Sequence, residues 1–266
     1  MHPLRRLAAR RSAPWTPRSS SPSPARCWAR APLGACVLFG TYDGVEVAVK
    51  EVHAAGSASA FRKEAAILCA VSHPNIISIF GVVERGGGGG GGAPLTLSIV
   101  MRLAEGGSLG AALRGSVGAP APPPLPAAAA RHIALGVARA LAHLHGRPSP
   151  IVHNDLNSSN VLLDREGSAL LSDFGVSTAF GGLGTAGGAS VGGGGAVGTV
   201  AWMAPEATDP HDAGHRKPPS DMYSFSMLLF ELATGRPPWG AWTFPRLWGP
   251  WCAGSARSCP RGSTAS

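Results

Sequence analysis

The sequence predicts an α+β chain in two parts: a small β-rich portion with one helix, then a larger, mainly helical portion. Three observations predict it. The stretch "GVEVAVKEV", residues 44–52, alternates Val45, Val47 and Val49, the period of a strand with one buried face. The stretch "AAAARHIALGVARALAHLHG", residues 127–146, sets Ile133, Val137, Ala140, Leu141 and Leu144 three and four apart, a core-facing helical stripe. Strand-like runs gather before residue 103, and helical runs after it. A chain of 266 residues is long enough to bury a sizeable core.

The elements follow in order. After the strand at 44–52, "SASAFRKEAAILCAV" puts Phe61, Ala65, Leu68 and Cys69 on one helical face, with Ser57 or Ser59 available as a cap. "NIISIFGVVE" and "APLTLSIVMRL" read as strands, separated by seven glycines at 86–92 that suit an open hairpin loop. "GGSLGAALR" begins a short helix, which "GSVGAPAPPPLP" stops. The long helix at 127–146 comes next. "VLL" and "ALLSDF" make two short strands, and residues 173–206 form a long glycine-rich loop. "DMYSFSMLLFELATG" is a second buried helix.

Charge and cysteines narrow the function classes. Residues 1–30 hold seven Arg and no acid, and without them the net charge of +8 falls to +1. No general basic face for nucleic acid is expected. The leader reads as disordered, so a cytoplasmic protein is expected, with organelle targeting through the Arg/Ser/Pro-rich N-terminus as the alternative. No run reaches the ~18–20 apolar residues that span a bilayer. The five cysteines show no CxxC pair and no ligand spacing, which argues against a disulfide framework and a zinc site.

Chemistry gathers in "HNDLNSSN", residues 153–160, where Asp155 and Asn160 stand five apart between apolar runs with no helical period. Four pieces occur in sequence: "VAVK", "HNDLNSSN", "DFG" and "GTVAWMAPE". In that order they resemble a eukaryotic protein kinase. "GTVAWMAPE" with "SSNVLL" most resembles the tyrosine-kinase-like group of serine/threonine kinases, from about residue 34 to about 240.

The resemblance implies a bilobal fold, with a basic leader over 1–30, an N-lobe over about 31–103, a C-lobe over about 104–240 and an irregular tail over 241–266. It implies transfer of the ATP γ-phosphate to serine or threonine hydroxyls of a protein substrate, with Mg²⁺ as cofactor. Lys50 would pair the α- and β-phosphates and Glu64 would hold that lysine. Asp155 would take or orient the acceptor's proton, and Asn160 and Asp173 would bind metal through hard oxygens. Val37, Ala48 and Leu162 would sandwich the adenine, with Met101 guarding the back of the site and Leu103 in the hinge. Leu68, Ile79, His153 and Phe174 would stack across the lobes, and Asp221 would anchor the base of the stack.

The chain departs from the pattern in three places. The three glycines of a kinase phosphate loop fall on Arg30, Pro32 and Ala35, where side chains and a missing N–H hinder approach to phosphate. Asn154 stands where the family usually has the arginine that pairs an activation-segment phosphate, and Asn157 replaces the lysine offered to the γ-phosphate. The large lobe is expected to be incomplete at its C-terminus, leaving Glu206 without an ion partner and part of the core uncovered. These departures support an alternative function, a pseudokinase or scaffold that binds nucleotide weakly or not at all.

Overall fold

The computed structural model describes residues 16–17, 29–30, 36–52, 58–85, 96–115, 122–174, 178–179, 199–208 and 217–239. The expected glycine-run hairpin loop at 86–92 and the irregular tail over 241–266 lie outside them.

The small portion is a twisted antiparallel sheet. β3 (Cys36–Tyr42) and β4 (Val45–Val52) form a hairpin across Asp43 and Gly44, whose φ of +48° and +78° suit a two-residue turn with both central residues left-handed. β4 pairs with β6 (Thr96–Arg102), which pairs with β5 (Ile79–Arg85). The strand expected to begin at Asn75 begins at Ile79, because Asn75–Ile77 turn aside to bond with the larger portion. On the other edge of β3 lie β1 (Thr16–Pro17) and β2 (Ala29–Arg30). These four residues add their backbone groups to the free edge of β3. Cys36 is disulfide-bonded.

Helix α1 (Ala58–Ala70) packs Phe61, Ala65 and Leu68 into the main core, together with Ile67, while Cys69 is only half-buried. Residues 71–78 then run along the larger portion. Ile77 N donates to Leu171 O at 2.9 Å and Leu171 N to Asn75 O at 2.9 Å, while Asn75 Nδ2 donates to Ala169 O at 2.9 Å.

The larger portion is built on two helices. α3 (Ala127–His145) buries the five residues of its expected stripe, together with Gly136. α4 (Pro218–Thr234) starts three residues earlier than its apolar run, on a Pro that needs no N–H partner, and ends at Gly235 with φ +67°. The short α2 (Leu109–Arg114) is capped by Ser108 Oγ, which accepts from Ala111 N at 3.2 Å. β7 (Gly107–Ser108), β9 (Val161–Leu163) and β10 (Ala169–Leu171) form a small sheet beside it, and β8 (Ile151–Val152) pairs with β11 (Thr178–Ala179). Two 3₁₀ turns, Thr199–Trp202 and Pro205–Thr208, precede α4. Glu206, expected to lack an ion partner, accepts a hydrogen bond from Ser220 Oγ at 3.3 Å. Met222, Leu229 and Phe230 are exposed on α4. No helix among the described residues is long and apolar enough to cross a membrane.

Candidate active site

The β-register places one wall of the site. Val37 faces Lys50 across β3 and β4, while Ala48 faces Met101 across β4 and β6. These residues share the sheet face turned toward the main core, where Ala48, Met101 and Leu103 are buried and Val37 and Leu162 pack partly buried. Of the six positions proposed for nucleotide, all but Lys50 belong to the main core cluster or pack against it.

Lys50 reaches from β4 to α1. Its Nζ donates to Glu64 Oε1 at 2.8 Å, to Glu64 Oε2 at 2.9 Å and to Asp173 Oδ1 at 3.1 Å. Burial works against the lysine's charge, yet the two carboxylates outweigh it and hold its pKa above the ordinary value. Burial pushes the Glu64 carboxyl up, against the pull of Lys50. A helix in the small portion, a central strand and the "DFG" stretch thus meet at one ammonium.

The loop after β8 is held from behind. Asp221, buried at the start of α4, accepts from His153 N at 2.8 Å and Asn154 N at 2.9 Å, and bonds His145 Nε2 at 2.8 Å. Asn154 has φ +66°, a conformation that asparagine tolerates better than most residues. His153 is a core residue: it is fully buried, bonds Ser172 O at 2.9 Å and meets Phe174 edge-on with ring centroids 5.0 Å apart. Leu68 is buried in the same core and Ile79 packs against it. Asp173 sits at φ +63°, so its carboxylate is aimed by an uncommon backbone state.

Asp155 is fixed by two amides. Asn160 Nδ2 donates to its carbonyl at 2.8 Å and to Oδ2 at 2.9 Å; Asn157 Nδ2 donates to the same carbonyl at 3.1 Å and to Oδ1 at 3.0 Å. Asn157 is thus more than a lost lysine, because it props the carboxylate. Burial, with a contribution from Asp173, raises Asp155 to about 6. Ser172 N and Oγ both donate to Asn160 O at 2.9 Å, which sets Asn160 beside Asp173. With Asn160 Nδ2 turned to Asp155, its amide oxygen is the atom a cation would meet. Asp173 and Asn160 offer the hard oxygens that Mg²⁺ takes, but no group of three His, Cys, Asp or Glu among the described residues could cage a metal alone. The donor set fits a Mg²⁺ whose shell is completed by phosphate and water.

Of the three phosphate-loop positions, Arg30 pairs with Cys36 on the edge of the sheet, while Pro32 and Ala35 lie outside the described residues. Sequence reasoning missed Arg114, Ser158, Trp202 and Glu231, which interact behind the loop. The one available signal was a glutamate inside the apolar run "MLLFEL".

A family model described as "Protein kinase domain" matches residues 34–243. The serine/threonine-protein kinase CTR1 of Arabidopsis thaliana is 34% identical over 212 residues, covering 76% of this chain and 23% of that protein. The L-type lectin-domain containing receptor kinase S.7 of Oryza sativa subsp. japonica is 36% identical over 211 residues, covering 77% and 27%. The probable serine/threonine-protein kinase PBL28 of Arabidopsis thaliana is 35% identical over 179 residues, covering 66% and 43%. The chain spans about a quarter of the length of the first two relatives. With the ordered motifs, the lysine–glutamate pair and the two-lobed core, these matches place the chain in the protein kinase family.

Proposed function

We propose that the chain transfers the γ-phosphate of ATP to serine or threonine hydroxyls of a protein substrate. The observation that carries the reading is the Lys50–Glu64–Asp173 chain of contacts, set beside an Asp155 held by two amides. Phosphoryl transfer depends on positioning and charge neutralisation more than on covalent help. Lys50, kept charged between two carboxylates, supplies a fixed cation for phosphate oxygens. Asp173 and Asn160 would hold Mg²⁺, which when bound neutralises charge on the transferring group. Asp155 accepts the hydroxyl proton at a carboxylate oxygen, and its two amide donors fix the direction in which that oxygen points. Val37, Ala48, Met101, Leu103 and Leu162 would hold the adenine away from water. The serine/threonine preference rests on the similarity to the two serine/threonine-protein kinases of Arabidopsis thaliana.

The test follows labelled γ-phosphate into a generic basic acceptor protein, using the wild-type chain and Asp155→Asn. Transfer should drop ~10²–10⁴-fold in the variant, the size expected for losing a positioned proton-transfer group, with nucleotide affinity retained. Equal signal from both proteins would refute the reading and leave the scaffold alternative, which the side chains at Arg30, Pro32 and Ala35 favour.

A further inference from the structure

The outer face of α3 carries charge of one sign. The helix contains no Asp or Glu, and its first turn lacks the acids that complement a helix N-terminus. Opposite the buried stripe, its exposed positions include Arg131, His132, Leu135, Arg139 and Ala142. Arg131, Leu135 and Arg139 recur at intervals of four, which sets them along one face. Leu135 is 48% exposed, and neither arginine makes a hydrogen bond or ion pair among the described residues.

Neighbouring elements add to this charge rather than cancel it. His73, in the turn after α1, stacks its ring on that of His143 with centroids 5.0 Å apart. Burial, then His143 and Arg139, hold the His73 imidazole below its ordinary pKa, and no carboxylate opposes them. His132 Nε2 bonds Ser168 Oγ at 3.1 Å. Glu166, exposed two residues before Ser168, pairs with none of these groups among the described residues.

The spacing selects a ligand shape. Arg131 and Arg139 stand about 12 Å apart along the axis at 1.5 Å per residue, with Leu135 midway. An extended peptide points every second side chain the same way, and residues i, i+2 and i+4 span about 13 Å. Acid, apolar and acid at those three places therefore meet Arg131, Leu135 and Arg139 in register. Two arginines fall short of the roughly 4–8 cations that mark a lipid-binding cluster. The midpoint is aliphatic, whereas a single-stranded nucleic acid stacks its bases on aromatic rings. No acid in the 266 residues stands four places from another, so a second copy of this chain does not supply the pattern.

We propose that the outer face of α3 docks an extended acidic segment of a partner protein, with carboxylates on Arg131 and Arg139 and an apolar side chain on Leu135. Docking needs neither nucleotide nor phosphoryl transfer, so it stands or falls apart from the phosphotransfer reading.

A peptide of sequence Gly-Glu-Gln-Leu-Gln-Glu-Gly, which offers no hydroxyl to phosphorylate, is the probe. It is titrated into the isotope-labelled full chain without nucleotide while the backbone amide resonances are followed. Saturable shifts are expected over 128–142, with affinity about threefold above that for the rearranged Gly-Glu-Glu-Leu-Gln-Gln-Gly, the size of one exposed ion pair. Arg131→Gln and Arg139→Gln should each weaken binding about threefold, and reversing both to Glu should weaken it more than about tenfold. Both side chains are exposed, so the variants should keep the wild-type Tm. Raising salt from about 50 mM to about 500 mM should weaken binding severalfold as the charges are screened. Equal affinity for the two peptides, shifts confined to other segments, or a double reversal that binds like wild type would overturn the proposal. So would phosphatidylserine vesicles or a single-stranded RNA homopolymer that bound through these arginines while the peptide did not, assigning the face to lipid or to nucleic acid.

Discussion

Asp221→Ala is the most exacting perturbation of the framework beneath the site. The carboxylate accepts two backbone N–H groups, from His153 and Asn154, and also bonds His145 Nε2. His153 is fully buried and Asn154 half-buried, so truncation strands two amides that water cannot readily reach. Each orphaned donor costs about 1–3 kcal/mol, giving about 4 kcal/mol for the pair, at the upper end of single-substitution effects. Asn154 must also hold φ +66° without the carboxylate that accepts its N–H. For a domain of this size, each kcal/mol moves Tm by roughly 2–4 °C, so a fall of about 8–16 °C is expected. Asp221→Asn keeps one carbonyl acceptor and should lose about half as much. Differential scanning calorimetry of the three proteins reads the effect. An Asp221→Ala protein melting within about 2 °C of wild type would show that the loop is held by its own packing, and the account of its anchoring would be wrong.

Two further outcomes follow from the loop itself. Asp155, raised to about 6 from 3.8 chiefly by burial, must be ionised to accept a proton, so kcat/KM should fall as pH drops through about 6. The folded chain keeps this proton to higher pH than the unfolded chain, so the contribution of Asp155 to stability declines as pH rises from about 4 to about 6, then stays level. Comparing Tm against pH for wild type and Asp155→Asn isolates that slope; parallel curves would contradict it. Asn157→Lys returns a cation beside the Asp155 carboxylate and should raise the transfer rate about three- to tenfold, an increase read from initial rates at saturating ATP. A fall would mean that the two bonds from Asn157 Nδ2 matter more than the added charge.

Much of the frame was legible because its signals are local. Alternating valines marked β4, and the stripe from Ile133 to Leu144 marked α3; both periods survive whatever packs against them. Lys50, Glu64, Asp155, Asn160 and Asp173 were readable as candidates because their residue types and order match a single chemistry; Lys50 bonds Glu64 and Asp173, and Asn160 bonds Asp155. What escaped was non-local. Glu231 looked like one acid in an apolar helix until Arg114, 117 residues earlier, and Trp202, 29 residues earlier, were brought against it. The pairing of Thr16–Pro17 with β3 likewise joins residues far apart in sequence, which no periodicity records. Asn157 was read for the charge it lacks, and only the three-dimensional loop shows the donor it contributes.

The bonds that tie residues 75–77 to β10 give α1 a fulcrum. The helix runs 13 residues, from Ala58 to Ala70, and ends just before this pinned stretch. Glu64 lies six residues from that end, about 9 Å along the axis at 1.5 Å per residue. A swing of about 10° about the pinned end would carry Glu64 about 1.5 Å, enough to break a 2.8 Å contact with Lys50. The small lobe therefore works as a lever whose short arm ends at the ammonium, so a push far out on α1 is felt first at Lys50.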